Sequence, residues 1–251
     1  MSFRLVKQML PNKLRHILSD LREILYHRAY FGRRLENDIV NQFHDLYYNS
    51  HLWKKGYRDT FWLGYPVLKC PLDLWIYQEI LFTLKPDIII ECGTAYGGSA
   101  LYLASMCDHM GNGTVLTIDL QTPLIKTDHT LPIHPRIHYL KGSSTSIEIQ
   151  KQLSELISPS DKVMVILDSD HSKDHVLQEM VIYSDLVTDG HYMIVEDTNI
   201  NGHPVLPFHG PGPMEAVDEF LSHNSDFTID SSKDKFFLSF NPRGYLIKSK
   251  L

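Results

Sequence analysis

Two hydrophobic periods alternate along this chain. After residue 86, short apolar runs recur at 88–90, 114–120, 137–140, 163–167 and 191–195. Most are followed by a stretch in which apolar positions return every three or four residues. The runs read as buried strands. The stretches at 100–104, 147–156, 176–186 and 214–222 read as helices. The chain closes on three further apolar runs, at 227–229, 236–240 and 244–247. Asn241-Pro242-Arg243-Gly244 is a turn sequence, so 236–240 and 244–247 are expected to form an antiparallel hairpin. Before residue 86 the period is helical at 14–25, 36–48 and 72–84, the last stopped by Lys85-Pro86.

Strands alternating with helices predict an α/β fold with a doubly wound, mainly parallel, seven-stranded sheet. The hairpin would sit at its C-terminal end and a helical extension at its N-terminal end. The expected organisation is an N-terminal segment 1–70 and a ligand-binding domain 71–251. Between 51 and 75 lie Trp53, Tyr57, Phe61, Trp62, Tyr65 and Trp75, interrupted by Gly56, Gly64, Pro66 and Pro71. Such a segment is either a lid over a substrate or aromatic packing beneath the N-terminal helices.

Charge changes this picture at one end only. The 251 residues carry 24 Lys+Arg against 30 Asp+Glu, a net charge of −6, which argues against general nucleic-acid binding. Up to Arg34, however, eight basic residues face two acidic ones. The helix there, with Leu14, Ile17, Leu18, Leu21, Ile24 and Leu25 on one side, is read as packed on the core, as a subunit contact in a homo-oligomer, or as a membrane-surface contact. No run reaches spanning length and no secretory signal is present. The three cysteines, Cys70, Cys92 and Cys107, are widely spaced without a CxxC, so neither a disulfide framework nor a zinc site is expected. A cytoplasmic protein is expected.

The chemistry collects where strands end. Ligands of open α/β sheets bind beyond the carboxyl ends of the strands. Here these ends carry Glu91, then Asp119, then Asp168 and Asp170, then Glu196 and Asp197. Strand 88–90 leads through Glu91-Cys92-Gly93-Thr94-Ala95-Tyr96-Gly97-Gly98-Ser99 into a helix, a strand–turn–helix in which glycines let backbone approach a nucleotide-like ligand. The spacing is not GxGxxG, and no P-loop lysine follows. Asp119, ending the next strand, can accept both hydroxyls of a ribose. The cofactor set read from these ends is Glu91, Gly93, Thr94, Tyr96, Gly97, Ser99, Asp119, Leu120, Ser143, Ser144, Asp168 and His171. Asp170, Glu196 and Asp197 are hard oxygen donors on adjacent strand ends and suit Mg²⁺, with Ca²⁺ or Mn²⁺ as alternatives. A cation there would bind a substrate hydroxyl and lower its pKa. Lys173 or His171 would then take the proton. The loop 201–213, with His203 and His209, and the aromatic Trp62 are candidate substrate walls.

These residues resemble a known family. The glycine turn is similar to the S-adenosylmethionine turn of class I methyltransferases. Thr60-Phe61-Trp62-Leu63-Gly64, Lys69, Pro71 and Asp73, Leu167-Asp168-Ser169-Asp170-His171, Val195-Glu196-Asp197-Thr198, and the stretch from Gly202-His203-Pro204-Val205 through Gly210-Pro211-Gly212-Pro213 resemble the cephalosporin hydroxylase and rhamnosyl O-methyltransferase family over roughly residues 50–222. The resemblance implies a Rossmann-like class I methyltransferase fold, S-adenosyl-L-methionine, Mg²⁺ on Asp170, Glu196 and Asp197, and an oligomer. A more distant likeness to catechol-type O-methyltransferases implies Lys173 as general base beside Asp170. The function expected is Mg²⁺-dependent O-methylation of a sugar or natural-product hydroxyl. A nicotinamide-dependent oxidoreductase and a non-catalytic partner of a biosynthetic complex are the alternatives.

Overall fold

The computed structural model describes residues 12–53, 56–120 and 130–249. Arg4 and Lys7, two of the eight basic residues counted up to Arg34, lie outside them. The chain divides into two compact units, Met1–Phe43 and His44–Leu251. Helix α1 runs Asn12–Asn49 and is broken by Gly32, whose backbone is non-helical (φ 53°, ψ 151°). The two helical periods of the sequence are therefore the two arms of one interrupted helix. In the first unit Leu14, Ile17, Leu21, Ile24 and Leu25 are all exposed.

The second unit is built on one sheet. Its strands are β3 (Ile88–Cys92), β4 (Thr114–Asp119), β5 (Ile137–Lys141), β6 (Val163–Leu167), β7 (Tyr192–Val195), β8 (Phe227–Ile229) and β9 (Tyr245–Lys248), in the order β5-β4-β3-β6-β7-β9-β8. The first five in that order pair in parallel. Helices α2 (Pro71–Leu84) and α3 (Gly98–Met110) cover one face, and α4 (Ile147–Leu156), α5 (Lys173–Ser184) and α6 (Pro213–His223) cover the other. Burial follows the two-residue pleat. Ile88, Ile90 and Cys92 join the core under α4, α5 and α6, while Ile89 joins the core under α2 and α3. Because both faces are covered, β3 and β6 are buried at every position.

The C-terminal antiparallel pair is present, but its partners differ from those expected. β9 pairs with β8 on one side and with β7 on the other, and residues 236–240 form no strand. The reason is local. The backbone N–H of Phe240 and the hydroxyl of Ser239 both donate to the buried carboxylate of Asp73, and Phe237 and Arg243 hold positive φ (64° and 62°). That backbone is engaged by a side chain and bent out of the extended region. Within the aromatic segment, two-residue strands β1 (Phe61–Trp62) and β2 (Tyr65–Pro66) pair antiparallel. Pro66 then crosses the start of α3: a Cβ on Gly98 would lie 2.1 Å from the Pro66 carbonyl oxygen.

Candidate functional site

The sheet reverses its winding between β3 and β6, and the side chains under discussion collect at that switch point. From β3 the chain turns at Gly93, whose φ is +106° and whose absent Cβ would stand 1.9 Å from the Asp168 carbonyl oxygen. Only glycine fits there. The turn is tied to its neighbours by side chains. Asp119 Oδ2 accepts the backbone N–H groups of Thr94 and Ala95 at 3.1 and 3.0 Å. Thr117 Oγ1 donates to Glu91 Oε2 at 2.7 Å and lies 2.7 Å from Thr94 Oγ1. Glu91 is fully buried, and burial pushes its carboxyl up from the usual range.

Asp168 follows β6, and Glu196 and Asp197 follow β7. Asp197 holds φ +53°, a strained backbone position, with its N–H donating to Asn241 Oδ1 at 3.1 Å. Its Oδ2 lies 3.2 Å from His171 Nε2. Asp168, His171 and Asp197 each offer a donor atom within 4.8 Å of the others. The expected trio Asp170, Glu196 and Asp197 is not brought together. Asp170 Oδ1 instead accepts from the N–H of Ser172 at 2.7 Å and from its hydroxyl at 2.5 Å, an Asx turn at the entrance of α5 that holds its carboxyl below the usual range. Glu196 Oε1 accepts from Tyr77 at 2.7 Å and pairs with Lys69 Nζ at 2.5 Å.

Lys69 is the feature that strand-end reasoning missed. It is 3 % exposed, and its Nζ also lies 2.6 Å from Asp168 Oδ2. Burial opposes its charge, but Asp168, Glu196 and Glu91 outweigh burial and hold the ammonium well above the usual lysine range. The signal was a single lysine inside the apolar stretch Val67-Leu68-Lys69-Cys70-Pro71-Leu72.

The other candidates are placed as follows. Lys173 opens α5 and pairs with Glu219 Oε2 at 2.5 Å. Ser143 Oγ lies 3.0 Å from Thr145 Oγ1, and Ser144 Oγ bonds the buried Glu179 carboxylate, which also takes Ser169 Oγ at 2.6 Å and lies 3.3 Å from His175 Nε2. Leu120 is exposed. His203 Nε2 lies 2.9 Å from Glu215 Oε1, whose carboxylate also accepts Asn201 Nδ2 (3.0 Å) and the Gly212 N–H (2.7 Å). His209 is exposed, with Nδ1 3.2 Å from the Gly210 carbonyl. Trp62 donates from Nε1 to Ser105 at 3.1 Å and stacks edge-on against Tyr102. Tyr96 and Ser99 line a cavity with Gly93, Thr94, Gly98, Lys69 and Asp168. That cavity holds only about 20 Å³, and Pro66, Leu68 and Lys69 form part of its wall.

A strand–glycine turn–helix with an acid on the neighbouring strand thus lies beside two carboxylates and an imidazole. Residues 54–249 match the family model "Rhamnosyl O-methyltransferase/CmcI". The chain belongs to that family. By membership it is an S-adenosylmethionine-dependent O-methyltransferase. Curated relatives agree. The rhamnosyl O-methyltransferase of Mycobacterium tuberculosis (strain ATCC 25618 / H37Rv) is 38 % identical over 220 residues, covering 86 % of this chain and 87 % of that one. The enzyme of the same name from Mycobacterium leprae (strain TN) is 37 % identical over 219 residues, covering 86 % and 93 %. Among solved structures, an apo CmcI matches with TM-score 0.60 and 22 % identity over 77 % of this chain and 78 % of that one. CmcI with Mg and SAM matches with TM-score 0.59 and 21 % identity over 78 % and 79 %. These neighbours bear out the Rossmann-like methyltransferase fold.

Proposed function

We propose that this family member methylates a hydroxyl of a sugar or sugar-bearing small molecule, with a divalent cation held by Asp168 and Asp197 and with His171 as proton acceptor. The observation that carries the reading is the convergence of Asp168, His171 and Asp197 beside the glycine turn. Two carboxylates are hard oxygen donors that suit a small divalent cation such as Mg²⁺ or Mn²⁺, which leaves the neighbouring imidazole outside the ligand set as the base. When bound, the cation would acidify and orient the acceptor hydroxyl, and S-adenosylmethionine would supply an electrophilic methyl group.

This chain's own residues do the rest. Gly93–Ser99 and Asp119 hold the cofactor. His171 takes the hydroxyl proton at the ring nitrogen that does not face Asp197, and the Asp197 carboxylate, 3.2 Å from Nε2, stabilises the imidazolium that results. The acceptor oxygen forms its bond to the methyl carbon as the carbon–sulfur bond breaks, so most of the acceleration is positioning and electrostatics. The 38 % identical relatives named for a rhamnosyl acceptor support a sugar. The exposed apolar row of the first unit supports a homo-oligomer. Three buried free thiols support a reducing compartment. No helix among the described residues is long and apolar enough to cross a membrane.

The test is calorimetric titration of metal-stripped protein with S-adenosylhomocysteine, with and without Mg²⁺ or Mn²⁺, repeated on Asp168→Asn and Asp170→Asn. Binding is expected in the wild type. The metal response is expected to vanish in Asp168→Asn and persist in Asp170→Asn. A metal response lost in Asp170→Asn alone returns the cation to the Asp170 set, and no binding of the nucleoside overturns the assignment.

A further inference from the structure

The strand ends gather more negative charge than their burial tolerates unaided. Glu91 and Glu196 are buried, and Asp168 and Asp197 are partly so. Ionised carboxylates this close raise one another's energy, and each costs several kcal/mol to bury without a partner. Among the described residues the buried cation that meets them is Lys69. Lys69 reaches in from the segment that also lines the cavity at the glycine turn, and its ammonium bridges Asp168 Oδ2 at 2.6 Å and Glu196 Oε1 at 2.5 Å. These acids end two adjacent parallel strands, joined there by the Glu196 N–H donating to the Leu167 carbonyl at 3.0 Å. Tyr77 donates to the same Glu196 oxygen, and Asn241 Nδ2 donates to Tyr77 at 3.2 Å. The bridge is thus embedded in a satisfied network and is no surface pair. One of its two acids, Asp168, also belongs to the group with His171 and Asp197.

We propose that Lys69 is a built-in counter-cation of this site, holding Asp168 and Glu196 together in the metal-free protein and weakening divalent-cation binding by competing for Asp168. The inference deepens the metal reading above and rests on it. Lys69 is a positioning residue: it acts through the carboxylates and touches no reacting atom. The argument is one of charge. A metal ion arriving at Asp168 meets a fixed positive charge on the same carboxylate, and removing that charge leaves two acids that a metal ion or a proton must satisfy instead.

The experiment compares wild type, Lys69→Met and Lys69→Arg after stripping with EDTA, by thermal melting and by Mn²⁺ and Mg²⁺ calorimetry without any acceptor. Lys69→Met is expected to melt lower than wild type in EDTA. It should recover on adding metal and bind Mn²⁺ about tenfold or more tightly than wild type. Lys69→Arg, which keeps the charge, is expected to track the wild type. Equal affinities and equal metal-induced shifts in wild type and Lys69→Met overturn the inference while leaving the metal reading in place. Metal binding gained only in Lys69→Met supports the inference and removes the resident metal, and binding in neither overturns both. Should Lys69→Met fail to fold under all conditions, ¹⁵N-edited spectra of the wild-type ammonium groups decide. A Lys69 signal displaced by saturating Mg²⁺ supports the competition, and one left unmoved overturns it.

Discussion

His171 and Lys173 stand two positions apart at the entrance to α5, and their surroundings separate them. The Lys173 ammonium is held by Glu219 at 2.5 Å on the outer side of α5, and that partner raises its pKa, the wrong direction for a group that must be neutral to accept a proton. His171 faces Asp197 at 3.2 Å, inside the group that would hold the metal. Lys173→Ala is therefore expected to keep methyl transfer within a few-fold of wild type. His171→Ala should lose about 10²–10⁴-fold in kcat, the usual worth of a general base. Single-turnover rates with a rhamnosylated acceptor would check both, and a large loss in Lys173→Ala with His171→Ala near normal would reverse the assignment. At this scale the sequence carried the residue types and their strand-end positions but not their pairings. Lys69 and Asp168 lie 99 residues apart and meet only once β6 and the segment before α2 are in place. Asp170 and Asp168 are two residues apart, and whether either serves a turn or a cluster depends on side-chain direction, which spacing does not carry.

Among elements, the parallel strands were the most legible part of the fold because burial on both faces leaves an unbroken apolar run. The segment 236–240 has the same composition and is no strand, since its hydrogen bonds are taken by Asp73 from α2. Within the aromatic segment 51–75, Trp62 packs on α3 while Pro66 and Leu68 line the cavity at the glycine turn. The glycines that were read as room for a ligand are, in this conformation, room for the chain itself. A similar tertiary tie fixes the loop after β7. His44, the first residue of the second unit, is buried, stacks 5.7 Å from the Phe240 ring, and accepts a hydrogen bond at Nε2 from Asn199 Nδ2 at 2.9 Å. Burial lowers its pKa to about 4 from 6.5. The unfolded chain then binds the extra proton between those values, so stability falls as pH drops from about 6.5 to 4, by about 3 kcal/mol at most. His44→Gln keeps an acceptor for Asn199 without the titration. Its denaturant midpoint is expected to vary less than that of wild type across this window, and identical pH profiles would remove His44 as the cause.

For the molecule as a whole, charge and apolar surface are distributed unevenly between the two units. The first carries the basic excess of the chain together with an exposed row, Leu14, Ile17, Leu21, Ile24 and Leu25, at the spacing of one helix face. An apolar stripe of that length left in water is costly, and larger patches of this kind mark association sites. The second unit, by contrast, covers both faces of its sheet with its own helices. Association through the N-terminal helix would therefore add subunits without being required for the catalytic fold. Leu21→Glu combined with Ile24→Glu places two charges in the row and leaves the sequence of the second unit unchanged. Light scattering behind size exclusion is expected to show an oligomer for wild type and a smaller species for the double variant. The main melting transition and S-adenosylhomocysteine affinity should be unchanged in both. An unaltered mass would assign the row to some other partner, and a lost melting transition would mean that the row is buried within the protomer.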